Sequence, residues 1–87
     1  MYRLHIRDRA IQDLEGIDKA VARRIIQRIN WLADNIDRVR RESLAGEFSD
    51  YYKFRVGDYR ILYQVFNDKK IIVIHRIGHR REIYRGR

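Results

Sequence analysis

The sequence contains no cysteine and no proline. Without thiols it can build neither a disulfide framework nor a thiolate metal site. With three histidines and no cysteine, a structural zinc centre is not expected. The five glycines are scattered, and no linker, repeat or low-complexity run interrupts the chain. No apolar stretch approaches the ~20 residues needed to span a membrane. The segment MYRLHIRDRA has neither an apolar signal region nor a cleavage pattern, so a cytoplasmic location and no membrane partner are expected. With 87 residues the expectation is a single domain over 1–87 with a thin core.

What the chain does have is positive charge. Lys and Arg number 20 against 12 Asp and Glu, for a net charge of +8 and an isoelectric point near 10.3. Isoelectric points above ~9 point towards nucleic acid, because such a field attracts phosphate backbones regardless of base sequence. A highly charged but otherwise ordinary soluble domain is the plainer alternative. A membrane-surface binder would need a basic amphipathic terminal helix, and none is visible.

Tyr2 to Arg7 alternates apolar and polar residues, as in a strand with one buried face. Asp8 suits a helix N-cap, and Gly16 a helix stop. Asp18 can cap a longer helix, in which Val21, Ala22, Ile25, Ile26, Ile29, Leu32, Ala33 and Ile36 form one apolar stripe. Residues 37–50 have no period and read as a loop. Tyr52 to Val56, Tyr59 to Phe66 and Ile71 to Ile77 are rich in β-branched and aromatic residues and read as strands. The order β-α-α-β-β-β implies an α+β fold: two N-terminal helices packed on one face of a small, mainly antiparallel sheet.

Gly57-Asp58 fits a two-residue type II′ hairpin turn. That register sets Val56 opposite Tyr59, Arg55 opposite Arg60 and Phe54 opposite Ile61. Tyr52, Phe54, Val56, Tyr59, Ile61, Tyr63 and Val65 then face the helices, and Lys53, Arg55 and Arg60 share the other face. Like charges directly opposite one another destabilise a sheet. A phosphate would relieve the repulsion, and guanidinium groups match its geometry. Alternatively the arginines splay into water or pair with Glu47, Asp50 or Glu82. Continuing the register regularly places Ile77 near Arg60, so that His79 and Arg80 emerge beside Arg55 and Arg60, with Tyr84 following.

RNA carries its own nucleophile, the 2′-hydroxyl. Cleavage needs that hydroxyl deprotonated, the charge on phosphorus stabilised and the leaving 5′-oxygen protonated. Arg55, Arg60 and Arg80 suit charge stabilisation, because arginine stays protonated. His79, Lys53 and Tyr84 are the titratable candidates, and they leave open which one is the base. His79 could equally be a loop histidine, Tyr84 a cap on the sheet and Lys53 a solvated strand cation. His75 could line the site or simply pack. Arg24 and Arg28, on the flank of the long helix that carries Trp31, and Arg81 are further candidate RNA-binding cations. No cluster of His, Asp or Glu converges on the arginine face, so no metal and no cofactor is expected.

Leu44-Ala45-Gly46, the run from Tyr52 to Tyr63 and the run from Ile77 to Tyr84 resemble the RelE toxins of the RelE/ParE superfamily. The resemblance spans nearly the whole chain. Together "Tyr-Lys-x-Arg-x-Gly-Asp-Tyr-Arg" and "Gly-His-Arg-x-x-x-Tyr" are specific. It implies a microbial-ribonuclease-like fold and endoribonuclease cleavage of mRNA in the ribosomal A site. It also implies a cognate RelB-like antitoxin, and a toxin–antitoxin complex that binds operator DNA through the antitoxin. By the resemblance, Lys53 and Arg55 bind phosphate and transfer protons. Arg60 stabilises the phosphate, Arg80 stands near the leaving group, and Tyr84 stacks on a base or aids activation. Position 55 is Arg where a lysine base is frequent, and His79 stands where a lysine can occur. Two rival functions share the sequence: a ParE-like inhibitor of DNA gyrase with the same fold, and a non-catalytic RNA-binding module.

Overall fold

The computed structural model describes residues 2–44, 46 and 50–79. Leu4 and Ile6 alternate with Arg3 and His5 in strand β1 (Arg3–Ile6). Helix α1 (Asp8–Glu15) begins one residue earlier than an N-cap at Asp8 would place it. Its N-cap is Arg7, which makes no side-chain capping bond, and Asp8 sits in the first turn, where the helix dipole favours an anion. Gly16 closes the helix, its N–H donating to the carbonyl of Asp13 at 3.2 Å. Asp18 caps α2 (Lys19–Asn35) as its sequence position indicates, accepting the Ala20 N–H at 3.1 Å. The α2 stripe buries Ile25, Ile29, Leu32 and Ala33, and Ile36 follows just past the helix end. Ile26 falls off the stripe and is exposed.

Four further strands follow: β2 (Glu42–Ser43), β3 (Tyr52–Val56), β4 (Tyr59–Phe66) and β5 (Ile71–His79). They form one sheet with β1, in the order β1-β5-β4-β3-β2. Only β1 and β5 run parallel; the other neighbours are antiparallel. The α+β expectation therefore holds, with one addition. Residues 42–43, inside the stretch that reads as a loop, pair with β3, setting Glu42 opposite Lys53. Two residues are too few to show an alternation. Both helices lie on one face, where Val56, Ile61, Tyr63, Ile72, Ile74 and Ile77 meet Ala10 and the α2 stripe.

The β3–β4 hairpin has the expected register, and Gly57 takes the positive φ of 59° that a type II′ turn requires at its first central residue. The β4–β5 pairing is not regular. Phe66 to Tyr63 pair with Ile71 to Ile74, but Leu62 then pairs with Arg76, leaving His75 as an extra residue. This bulge has a physical cause in the spacing of the isoleucines. Ile72 and Ile74 are two apart and Ile77 is three further on, so a regular strand would turn Ile77 out and Arg76 into the core. With the bulge, Ile77 is buried opposite Ile61, and Gly78, not Ile77, stands opposite Arg60.

β1 accompanies β5 only as far as Ile74. Beyond that point Asp13 of α1 takes the place of a strand. Its carboxylate accepts the Ile77 backbone N–H at 2.9 Å and the Arg76 Nε–H at 2.8 Å. The helix is thus tied to the edge of the sheet one residue beyond the bulge. Replacing Asp13 by Ala strands a backbone donor and an arginine. It should lower the unfolding free energy in urea by about 2–3 kcal/mol, with Asp13→Asn losing roughly half as much.

Tyr63 presents the opposite case. It is fully buried, and its hydroxyl finds no hydrogen-bond partner among the described residues. Burial, opposed by the field of Arg41 and reinforced by Tyr52, pushes its pKa up to about 12. Tyr63→Phe removes a desolvated hydroxyl that gains nothing in return. It should raise stability by about 1 kcal/mol, read as a higher denaturation midpoint with an unchanged slope; a loss of stability would mean that the hydroxyl is satisfied after all.

Candidate nucleic-acid interface

The sheet has a face that no helix covers among the described residues. Strand alternation and register put Arg55 and Arg60 on it as a direct cross-strand pair. Cβ atoms of such pairs stand ~5 Å apart. Arg55 is exposed, but Arg60 is only 7% exposed. Among the described residues the Arg60 Nε has no hydrogen-bond partner, and one terminal nitrogen donates at a long 3.5 Å to the Tyr59 carbonyl. Neither arginine forms an ion pair among the described residues. A buried guanidinium with spare donors, set against a second guanidinium, is a site for an anion. Gly78 on the neighbouring strand offers no side chain of its own beside Arg60.

Lys53 lies one step along the same face, opposite Leu62 and next to Glu42, whose carboxylate is 3.6 Å from its Nζ. Lys53 therefore stands beside the arginines as expected, but beside a carboxylate that the loop reading did not supply. The next group along is His75. Its Nε2 lies 2.8 Å from the Gln64 side-chain oxygen, and its ring is 4.9 Å from that of Tyr51. Burial, with smaller contributions from Arg7 and His5, lowers the His75 pKa below its ordinary 6.5. At neutral pH His75 is uncharged. Donation from Nε2 to Gln64 would leave its Nδ1 as an acceptor on the open face.

His79 is a correction. The sequence reading placed it beside Arg55 and Arg60, but the bulge shifts the register by one residue. His79 pairs with Tyr59 on the helix side of the sheet, edge-on to that ring at 5.8 Å. His75 is instead the histidine on the arginine face. The missed signal was the two-then-three spacing of the β5 isoleucines. Arg80, Arg81 and Tyr84 lie outside the described residues. Arg24 and Arg28 are on α2, across the sheet from the arginine pair. The Arg28 guanidinium rests 4.4 Å from the Trp31 ring and 5.6 Å from Phe54. Trp31 itself stacks on Phe54 at 6.2 Å and 9°. Among the described residues no three of His, Cys, Asp or Glu gather as a metal site, and no helix is long and apolar enough to cross a membrane.

The depressed His75 pKa has a consequence for stability. The unfolded chain takes up this proton first as the pH falls. The stabilisation is therefore complete above 6.5 and is lost on the acid side, as the pH drops through the lower folded value. His75→Gln, which cannot titrate, should flatten that part of the stability–pH curve. Chemical denaturation on both sides of 6.5 checks this, and parallel curves for wild type and variant would refute it.

The sequence profile of the ParE toxin of type II toxin–antitoxin systems (parDE) matches residues 4–84. No curated protein sequence matches the chain. Among solved structures, the RelBE2 toxin–antitoxin complex of Mycobacterium tuberculosis is 25% identical with a TM-score of 0.81, covering 91% of this chain and 98% of the other. The archaeal RelE–RelB complex of Pyrococcus horikoshii is 28% identical with a TM-score of 0.68, covering 91% and 94%. The isolated RelE toxin of E. coli shares the fold at 24% identity and a TM-score of 0.75, covering 98% and 93%. A profile matched over nearly its whole length, together with the shared sheet and helix pair, shows that the chain belongs to the RelE/ParE superfamily of type II toxin–antitoxin toxins.

Proposed function

We propose that this toxin is a ribosome-dependent endoribonuclease that cuts mRNA in the A site by attack of the 2′-hydroxyl, without a metal. The observation that carries this is the Arg55–Arg60 pair, with Arg60 buried and its Nε without a partner among the described residues. In the reaction the 2′-oxygen bonds to phosphorus and gives up its proton to a base. The bond from phosphorus to the 5′-oxygen breaks, and that oxygen is protonated as it leaves. Arg55 and Arg60 meet the charge that develops on the phosphoryl oxygens. Lys53 and His75 are the titratable groups on the same face, and Arg80 and Tyr84 complete the set by family resemblance. With no two acid–base groups paired at the arginines, the ribosome would orient the substrate. The structures similar to this chain include RelB–RelE antitoxin–toxin complexes. A RelB-like antitoxin is accordingly the partner, and the complex would bind operator DNA through it. The +8 charge suits an acidic antitoxin segment.

A second reading has its own support: the matching sequence profile is that of ParE toxins, and a ParE-like toxin would poison DNA gyrase instead. Single-turnover cleavage on programmed ribosomes separates the two. Arg60→Ala should slow cleavage ~100- to 1000-fold while ribosome binding changes little, and Arg60→Lys should recover only part of the rate, since an ammonium lacks the bidentate fork. Codon-positioned cuts that survive Arg60→Ala at the wild-type rate, or gyrase–DNA complexes trapped with no cuts at all, would overturn the nuclease.

A further inference from the structure

The open face does not end at the arginine pair. Alternate residues of β4 carry it onward through Arg60, Leu62, Gln64 and Phe66. Six residues of strand span about 20 Å. At the far end lies a shallow depression of about 470 Å³, lined by Arg3, His5, Phe66, Lys69, Ile71 and Val73, with Leu4 beneath. That volume falls within the ~300–1,000 Å³ of small-molecule sites. No carboxylate lines it. Phe66 is 42% exposed there, so part of its ring is open to a partner beside the two cations.

The backbone that carries the cations around the ring is fixed by hydrogen bonds. The Lys69 N–H donates to the Phe66 carbonyl at 3.2 Å and to the Asp68 side chain at 3.0 Å. Lys70 adopts a φ of 54°, the only non-glycine positive φ among the described residues, and its carbonyl accepts the Arg3 N–H at 2.9 Å. The strained turn thus brings Lys69 to the same rim as Arg3. Between this depression and the arginine pair, Tyr51 and the anchored His75 offer further ring surface.

We propose that the depression is a second nucleotide station on the substrate strand: a base stacks on Phe66, and the adjoining phosphate is held by Arg3 and Lys69, a few nucleotides from the bond that is cut. Placing the substrate strand there presupposes that the arginine pair is the cleavage centre. An exposed aromatic ring beside cations is the arrangement that single-stranded nucleic acid favours, because every base has a face to stack. The alignment of the depression with Arg60 along one strand assigns it to the substrate strand itself and not to ribosomal RNA reached from another side.

The test measures binding of the intact toxin to labelled oligouridylates at low salt, with cleavage on programmed ribosomes assayed separately. Phe66→Ala, and separately Arg3→Ala with Lys69→Ala, should weaken octanucleotide binding about tenfold and leave dinucleotide binding unchanged. A 4-thiouridine in the octanucleotide should crosslink to the peptide containing Phe66. Phe66 is more than half buried, so Phe66→Leu, which keeps apolar bulk without the ring, is the folding control and should lose the same octanucleotide affinity at a near-unchanged melting temperature. Unchanged octanucleotide affinity in these variants, with Arg60→Ala still failing to cleave, overturns the second station and leaves the nuclease intact. Equal weakening of octanucleotide and dinucleotide binding overturns it too. So does a loss of affinity for the antitoxin with RNA binding untouched, which would give the depression to a peptide. If Arg60→Ala cleaves normally, the failure lies instead with the cleavage centre.

Discussion

Inserting one residue into β5 governs how this molecule is arranged. The helices demand isoleucines at positions 72, 74 and 77 on one face, and a regular strand cannot deliver all three. The bulge at His75 resolves the conflict and has effects on both sides of the sheet. On the helix side Ile77 joins the core. On the open side Gly78 stands beside Arg60, and His75 is rotated onto the face that carries the arginines. Bulges recur where a strand must re-aim a side chain near a site, and the same residue that rescues the core here also brings a titratable ring to the open face.

The division of labour between the two faces is visible in their chemistry. The helix face is apolar and closely interlocked, with α2 filling the space above the central strands. The open face holds cations that the fold does not neutralise in full. Two arginines placed directly opposite one another work against the sheet that carries them. The core and the Asp13 tie supply the stability that tolerates this. Tyr63 runs the other way, keeping a buried hydroxyl that brings the described structure no hydrogen bond.

Much of this was legible in the sequence because two periodicities are strong. The α2 stripe and the β3–β4 hairpin follow from spacing and from Gly57-Asp58, and with them the Arg55–Arg60 pair. What was not legible depends on non-local facts. The two-residue β2 is defined by its partner strand and not by its own pattern. The side of the sheet on which His79 lies depends on a bulge four residues earlier, which regular alternation does not anticipate. Asp13 looked like an ordinary helix residue, because nothing in its neighbourhood along the chain announces a strand edge some sixty residues away. Trp31 could be placed on the flank of α2, but its stacking on Phe54 required the tertiary fold.

The way α1 meets the sheet also bears on how the molecule can be approached. An uncovered strand edge is an open invitation for a foreign strand to add itself by backbone pairing. Here the far half of β5 would be such an edge, since β1 stops at Ile6, but Asp13 already occupies the Ile77 donor. At the opposite border β2 is only two residues long and begins with a charged Glu42. The longer border is the outer side of β1, whose four residues pair only with β5 among the described strands. The two borders are thus unequal, while the faces carry their character in charge and shape, which can diverge from one toxin to the next while the backbone frame stays fixed.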